Sequence, residues 1–298
     1  MVSSYNVSVV MCTFNGAKYI AQQLNSILQQ TLQPTEIIIV DDASTDNTLA
    51  VLNHYKTMHP TIRVIAQATN IGFNKNFEYA CSLANGFFIA IADQDDIWAK
   101  NKLAIMLSAY NGHADIIHCN SKITTHPQTV TFNTKQKVKR FSGNNINKVL
   151  FFNTVEGHCI LMRKDFFVTT MPFNKNGYYD WWLALHACIG NGVQWVNSTL
   201  VARRLHSNNA SILQGNAITK GNEMLLMLPN FMAKLNTTAT HIKLLKPIIE
   251  ALKSNNPLAL KLIIANLYND IYFYKTPLAR FFKKKKYINQ LLTALKTT

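Results

Sequence analysis

The chain has 298 residues, 48% of them hydrophobic, and its 30 Lys and Arg against 15 Asp and Glu give a formal net charge of +15. This length suffices for one large domain or two ordinary ones, and the hydrophobic content excludes intrinsic disorder for the bulk of the chain. The 11 glycines and 8 prolines exclude a collagen-like or low-complexity protein.

The N-terminal half repeats a strand–helix unit. Short, apolar, β-branched runs alternate with segments whose apolar residues recur at helical spacing. Strands that are apolar on both faces and alternate with amphipathic helices are typical of a parallel sheet covered by helices, so the sequence predicts an α/β fold. The predicted strands are 7–12, 36–40, 62–65 and 87–92, and the helices between them include Ile20, Leu49 and Phe73.

Acidic clusters directly follow two of these strands. Asp41 and Asp42 end the second strand, and Asp93, Asp95 and Asp96 end the fourth. In open α/β sheets, ligands bind beyond the carboxyl ends of the strands, and Mg²⁺ commonly bridges carboxylates to phosphates. The clusters therefore indicate a site for a metal ion and a diphosphate. Neither a P-loop nor a dinucleotide-binding glycine motif is present.

These clusters also admit a structural interpretation. Asp and Ser are frequent helix N-caps, so Ser44 is predicted to cap the helix after the second strand, and Ile97–Trp98 is expected to lead into another helix. One Asp would satisfy such a cap, whereas the second cluster contains three. This excess favours the metal-diphosphate interpretation for the second cluster.

Four motifs occur in an order known from one enzyme family. They are Val9–Asn15 (VVMCTFN), Ile39–Asp46 (IVDDASTD), Asn70–Gly72 (NIG) and Ala92–Trp98 (ADQDDIW). Together they strongly resemble the family 2 nucleotide-sugar glycosyltransferases, and the likeness extends to Tyr179–Trp182 and Arg203–Asn209. This resemblance implies a GT-A fold, which is a Rossmann-like, mostly parallel sheet flanked by helices, and a reaction that inverts the anomeric centre.

The resemblance also implies roles at a donor site. Phe14 matches the aromatic residue that packs against the nucleotide base. Asp42 matches the carboxylate that accepts the ring N–H of the base, and Asp41 is a neighbouring contributor. Asp93 and Asp95 match the DxD motif, with the first near the ribose and the second on a Mg²⁺ or Mn²⁺ ion that bridges the diphosphate.

Further matches lie in the later segments. Asp180 matches the general base, although Tyr179 replaces the acidic or histidine residue that is usual before it. On the residues alone, Asp180 is also an N-cap candidate. His206 matches a histidine that approaches the metal ion or the diphosphate. Arg204 is implied as a diphosphate contact, with Arg203 as the alternative.

Other features keep two interpretations each. Trp181 and Trp182 either line an acceptor pocket or pack in the core. His158 either lines the acceptor site or is a core histidine with satisfied hydrogen bonds. The basic segment 135–140 is either a loop over the active site or a solvated surface loop.

A basic, helical region follows the motifs. From Lys243 onward the chain contains 11 Lys and Arg residues and two acidic residues, so this region supplies +9 of the net charge. Helices are predicted at 225–231, 242–252, 257–274 and 287–295. Phe281 and Phe282 beside the run Lys283–Lys286 predict binding to an anionic membrane surface. A nucleic-acid contact or a solvated helix end are the alternatives.

The sequence therefore predicts a metal-dependent, inverting glycosyltransferase with a GT-A domain over 1–212 and a helical C-terminal extension over 213–298. A UDP- or dTDP-sugar is the expected donor, with rhamnosyl or galactosyl transfer first, and a cell-surface or lipid-linked glycan is the expected acceptor. We expect neither a signal peptide nor a membrane span, no nucleic-acid partner, and a peripheral location at the cytoplasmic face of a bacterial membrane. The alternatives are a nucleotidyltransferase and a non-catalytic protein that binds membranes or nucleic acids.

Overall fold

The computed structural model describes residues 5–137, 139–175, 177–207, 227–234, 245–251 and 256–271, together with 254, 273, 275, 284–286, 288, 289 and 292. Its N-terminal half alternates strands and helices, as the sequence predicts. The four strands are parallel to one another, and β-branched residues dominate their buried faces. They are β1 (Val7–Thr13), β2 (Glu36–Asp41), β3 (Ile62–Ala66) and β4 (Phe88–Ala92), with α1 (Ile20–Leu28), α2 (Thr48–Met58) and α3 (Phe73–Ser82) between them.

The chain after β4 adds four strands that the sequence pattern does not predict. The elements are β5 (Ile97–Trp98), α4 (Lys102–Ser108), β6 (Ile116–Thr124), β7 (Ile160–Arg163), α5 (Lys164–Thr170), α6 (Tyr179–Ile189) and β8 (Val193–Arg204). The described residues form one eight-stranded sheet in the order β3-β2-β1-β4-β7-β6-β8-β5. Strand β7 is antiparallel to β4 and β6, while β6 and β8 are parallel.

This topology collects the chemically interesting residues at one edge of the sheet. Strands β1, β2, β4, β6 and β8 all end there, because β7 reverses direction between β4 and β6. For the same reason, the turn Gly157–Cys159 before β7 lies at that edge. The loop after β1, both acidic clusters, this turn and the residues after β8 therefore meet.

Two predicted helix starts are displaced in the structure. Helix α2 begins at Thr48, and the Ser44 hydroxyl donates to the Asp41 carboxylate instead of capping the helix. Ile97–Trp98 is a strand paired with β8, and the next helix begins only at Lys102. The expected caps are therefore wrong, and helix capping does not explain the acidic clusters.

The C-terminal region packs against the same core. Residues 227–234 and 245–251 are helical, near the predicted positions, while the predicted helix at 257–274 divides into α7 (Pro257–Asn266) and α8 (Tyr268–Ile271). Phe231 and Leu260 belong to one apolar cluster with Trp182 of α6. The predicted boundary at 212/213 and most of the predicted helix 287–295 lie outside the described residues, so the two-domain division stays a prediction. Among the described helices, none is both long and apolar enough to cross a membrane.

Candidate active site

The loop after β1 is held in place by Gln94, which lies between Asp93 and Asp95. The Phe14 N–H donates to Gln94 Oε1 at 3.0 Å, and Gln94 Nε2 donates to the Phe14 carbonyl oxygen at 3.0 Å. A methyl group at Gly16 would lie 2.1 Å from Gln94 Oε1, so this close approach requires glycine. The Phe14 side chain is 46% exposed and offers a flat apolar face beside the acidic loop.

Asp41 is fully buried and fastens two strand ends together. Its Oδ1 accepts hydrogen bonds from Thr13 Oγ1 at 2.7 Å and from Ser44 Oγ at 2.6 Å, and its Oδ2 accepts from the Ser44 N–H at 2.8 Å. These three bonds use the carboxylate within the fold. The geometry thus gives Asp41 a structural contribution to the site.

Asp42 lies at the same edge and is held by the Asn-Ile-Gly motif. Its Oδ1 accepts from the Ile71 N–H at 2.8 Å and its Oδ2 from the Gly72 N–H at 3.0 Å. Gly72 has a φ of +82°, a conformation that glycine adopts readily. Just beyond, Asn74 accepts from the Tyr179 N–H at 3.0 Å. Residues 71–74 therefore link Asp42 to the segment that carries Asp180.

The predicted metal ligands lie side by side. Asp95 Oδ2 and His206 Nε2 are 2.8 Å apart. Arg204 supports the same loop, because its Nε donates to the Asp95 carbonyl oxygen at 2.9 Å and its backbone N–H donates to Asp96 Oδ1 at 3.1 Å. The Arg204 guanidinium and the His206 ring both lie against the Tyr19 ring, with centroid distances of 4.7 Å and 4.6 Å.

The acidic loop concentrates negative charge that a cation would stabilise. Burial raises the pKa of Asp93, and the nearby His158 partly offsets this effect. Burial also raises the pKa of Asp96 well above its usual value, and the charges of Asp93 and Asp95 add to the rise. Asp96 Oδ2 is buried and has no hydrogen-bond partner among the described residues. Such repulsion favours a divalent ion, and carboxylate oxygens suit Mg²⁺ and Mn²⁺.

A second arrangement of ligand atoms exists deeper in the site. One potential ligand atom from each of Asp93, Asp96 and His158 lies within 4.8 Å of the others, and the same holds for Glu156, His158 and Cys159. Burial lowers the pKa of His158, but Cys159, Asp93 and Glu156 outweigh it and raise that pKa to about 9. This raised pKa opposes metal binding, because the ring must lose its proton to coordinate an ion. The Asp95–His206 pair is therefore the better candidate.

Asp180 lies in the first turn of α6 and contacts the turn Gly157–Cys159. Its Oδ2 accepts a hydrogen bond from the Gly157 N–H at 3.1 Å. Burial raises its pKa to about 6, despite the opposing hydrogen bonds from Gly157 and Trp181. The N-cap of α6 is Tyr178, so the capping interpretation of Asp180 is wrong. A carboxylate with such a pKa takes up a proton more readily than an ordinary exposed one.

Burial decides the interpretation of the two tryptophans. Trp181 and Trp182 pack in the core, and their Nε1 atoms donate to the carbonyl oxygens of Val149 at 2.6 Å and Thr170 at 2.9 Å. Arg140, which ends the basic segment, forms an ion pair with Glu156 at 2.9 Å. The described lysines of that segment are exposed, namely Lys135, Lys137 and Lys139.

More than half of the chain matches a known protein family. Residues 8–169 match the family model described as Glycosyl transferase family 2. The chain belongs to this family. Membership confirms the predicted enzyme class, a glycosyltransferase, over the nucleotidyltransferase and the non-catalytic alternatives.

This family 2 glycosyltransferase is similar to several bacterial proteins. It is 27% identical over 211 residues to an uncharacterized protein of Mycobacterium tuberculosis, which covers 68% of the chain but only 59% of that relative. It is 27% identical over 221 residues to an uncharacterized glycosyltransferase of Haemophilus influenzae, covering 69% of the chain and 67% of the relative. A dTDP-rhamnosyl transferase of Shigella flexneri is 40% identical over 98 residues, 31% of the chain and 34% of that relative.

Solved structures show the same fold. S. aureus TarS 1-349 in complex with UDP-GlcNAc matches with a TM-score of 0.64 and 15% identity, covering 98% of this chain and 91% of that one. A mannosyltransferase of Pyrobaculum calidifontis in complex with GDP-Man and Mn²⁺ matches with a TM-score of 0.62 and 17% identity, covering 98% and 86%. At this identity the likeness concerns the fold alone, and it confirms the predicted GT-A class for this family 2 glycosyltransferase.

Proposed function

We propose that this glycosyltransferase moves a sugar from a nucleoside diphosphate donor to a hydroxyl group of a growing cell-surface glycan. The observation that carries the proposal is the meeting of two carboxylate groups at one sheet edge: the acidic loop with Asp95 beside His206, and Asp180 with its raised pKa. The first would hold a diphosphate through a divalent ion, and the second would accept a proton. Inverting sugar transfer needs both.

The donor would lie between the loop after β1 and the acidic loop. Phe14 would stack on the base, Asp42 would accept the ring N–H of a uracil or thymine, and Asp93 would contact the ribose. A Mg²⁺ or Mn²⁺ ion held by Asp95 and His206 would stabilise the charge on the departing diphosphate. Asp41 and Arg204 would act mainly by fixing the loops, and the Arg204 charge favours the diphosphate electrostatically.

The acceptor would approach from the side of Asp180. As the acceptor oxygen attacks C1 of the sugar, its proton passes to the Asp180 carboxylate, while the bond from C1 to the diphosphate breaks. The Gly157 N–H keeps Asp180 Oδ2 oriented through their 3.1 Å hydrogen bond. One base and one cation suffice for a single displacement, so the product would have the inverted anomeric configuration.

Relatives support the class of donor and acceptor. The Shigella flexneri relative is a dTDP-rhamnosyl transferase, and a Bacillus subtilis relative, 37% identical over 97 residues, is named as a putative teichuronic acid biosynthesis glycosyltransferase. We therefore propose a UDP- or dTDP-sugar as the donor and a surface or lipid-linked glycan as the acceptor. A location at the cytoplasmic side of a bacterial membrane fits such an acceptor.

The donor assignment is tested by calorimetric titration of UDP, dTDP and GDP in the presence of Mn²⁺. We expect UDP or dTDP to bind at least about tenfold more tightly than GDP, because the ring N–H of the larger purine lies farther from the ribose and would not meet Asp42 in the place of the uracil or thymine N–H. Turnover with the matching nucleotide sugar should release a free nucleoside diphosphate. Equal binding of all three, or preference for GDP, would contradict the base assignment, and the absence of any nucleotide binding would contradict the proposed function.

The membrane assignment rests on an exposed face of the C-terminal region. Leu258 and Leu262 of α7 are 67% and 60% exposed, and the described lysines of the run, 284–286, are exposed too. Lys284 Nζ lies 5.3 Å from the centroid of the Tyr268 ring, which places this lysine beside α8. Lys283 lies outside the described residues. Apolar side chains next to lysines suit an anionic bilayer surface.

Co-sedimentation with vesicles tests this surface. We expect binding to phosphatidylglycerol vesicles and not to phosphatidylcholine vesicles, and we expect Leu258→Ser with Leu262→Ser to weaken it about tenfold, because two exposed apolar groups are lost. Met58→Ser, at a residue that is 51% exposed in α2, is the matched control and should bind as the wild type does. Wild-type binding that is equal for both lipids, or absent, would refute the assignment.

A further inference from the structure

The turn Gly157–Cys159 contacts both halves of the proposed site, a feature that none of the sequence motifs accounts for. It lies at the functional edge because β7, which it precedes, runs opposite to β4 and β6. On one side, the Gly157 N–H donates to Asp180. On the other side, the His158 ring faces Asp93 of the acidic loop. One short turn thus touches the base and the donor-binding loop.

The His158 ring lies between two carboxylates. Its Nδ1 is 3.5 Å from Asp93 Oδ2, and its Nε2 is 3.5 Å from Glu156 Oε2. The residue is only 5% exposed, so water does not screen these contacts effectively. Asp93 is the more exposed partner, with 38% of its side chain accessible. The ring is therefore an internal restraint on a carboxylate that faces the donor.

The environment of His158 holds the ring firmly. Glu156 pairs with Arg140 at 2.9 Å and accepts from Ser121 Oγ at 2.5 Å, so it cannot move freely with the imidazole. Below the turn, the fully buried Lys102 donates its Nζ proton to the His158 carbonyl oxygen at 2.9 Å. The Lys102 ammonium also lies 3.4 Å from the centroid of the Trp98 ring. The backbone of His158 and the Glu156 carboxylate beside its ring are thus anchored.

We propose that His158 is a positioning residue: it fixes Asp93 for the donor while its turn fixes Asp180 for the acceptor. This role rests on the proposed function, because it matters only if Asp93 contacts the nucleotide. A loose Asp93 would have to be ordered when the donor binds, and that cost would appear as weaker nucleotide affinity. His158 itself touches no substrate, so its effect passes through the two aspartates.

Three variants separate this role from a general loss of packing. His158→Leu removes both ring contacts, and His158→Gln keeps one donor for Asp93. His118→Leu is the matched control, because His118 is equally buried in the neighbouring strand β6 but bonds only a backbone carbonyl, that of Phe141, at 2.7 Å. Each variant is titrated with UDP and with dTDP at fixed Mn²⁺, after its fold and melting temperature have been checked.

The expected result is a selective loss of nucleotide affinity. His158→Leu should weaken binding about 10- to 100-fold, as the loss of the 3.5 Å contact between a buried ring and a carboxylate predicts, and His158→Gln should recover part of that loss. His118→Leu should change the melting temperature and leave the affinity at the wild-type value. Should His158→Leu not fold, the affinity of His158→Gln, expected to be about three- to tenfold weaker than that of the wild type, carries the comparison with His118→Leu.

Two outcomes would overturn the role, and they differ from failure of the proposed function. Wild-type affinity in folded His158→Leu, or in His158→Gln where it alone folds, would show that Asp93 does not depend on the ring. An equal loss in His118→Leu would show that packing, and not positioning, is responsible. If the wild type itself binds no nucleotide, the proposed function is wrong and the positioning role is wrong with it.

Discussion

Replacing Asp180 with Asn is expected to lower the kcat of sugar transfer by about 10²- to 10⁴-fold, which is the usual contribution of a general base. The amide has nearly the same shape and can still accept the hydrogen bond from the Gly157 N–H, but it cannot take the acceptor proton. Nucleotide affinity should stay at the wild-type value, because the proposed nucleotide contacts, Phe14, Asp42 and Asp93, do not include Asp180. Steady-state kinetics and nucleotide titration measure the two effects separately.

The pH dependence gives a second readout for the same residue. The base works only when it is deprotonated, and burial raises the pKa of Asp180 to about 6. The wild-type kcat should therefore rise with pH through about 6 and level off above it, whereas the residual rate of Asp180→Asn should lack this step.

The matched control is Asp165→Asn. Asp165 is an exposed residue in the first turn of α5, and the same substitution there should leave kcat and its pH profile unchanged. Wild-type turnover in Asp180→Asn, or an identical pH step in that variant, would assign the base to another group.

Replacing Asp95 with Asn is expected to weaken Mn²⁺-dependent nucleotide binding at least about 100-fold and to lower kcat/KM at least as much. The carboxylate at the centre of the acidic loop is lost, and with it the charge that pairs with His206 at 2.8 Å. The affinity measured without a metal ion should change far less, because Phe14 and Asp42 remain. Titrations of UDP and dTDP with and without Mn²⁺ give this comparison directly.

Asp115→Asn is a suitable control for a buried aspartate. Asp115 is 2% exposed, pairs with Arg163 at 3.3 Å and lies just before β6, at the opposite edge of the sheet. Its substitution should lower the melting temperature without altering the metal dependence of nucleotide binding. An Asp95→Asn variant that keeps the wild-type response to Mn²⁺ would move the metal ligand elsewhere, with Asp93 and Asp96 as the remaining candidates.

The first four strands could be predicted because their signal is local. Each is a short, mostly apolar run bounded by polar turns, and β1, β2 and β4 are almost completely buried. The later strands lack this signal. Strand β6 contains His118 and Asn120, which are both fully buried, and these polar side chains are tolerated only because Phe141 and Trp195 supply hydrogen-bond partners from distant parts of the chain. Strand pairing of this kind cannot be read from composition.

The candidate site divides in a similar way. Aspartates that follow apolar strands indicate ligand chemistry because the direction of a parallel strand already fixes where its end lies. Which role each aspartate has depends on the tertiary structure. Asp41 and Asp42 are neighbours in sequence, yet one binds Thr13 and Ser44 inside the fold while the other bonds the backbone of Ile71 and Gly72.

By itself, the sequence determined the fold class, the edge of the sheet where the chemistry lies and the residue types that gather there. The excess of lysines near its C-terminal end was also visible from the start. Only the tertiary structure decided that Trp181 and Trp182 belong to the core and that Gln94 clamps the loop of Phe14. It also placed His158 between two carboxylates. The physical reason is that periodicity reports whether a residue is buried, whereas hydrogen bonds and charge pairs join residues that are far apart in the chain, such as Asp95 and His206.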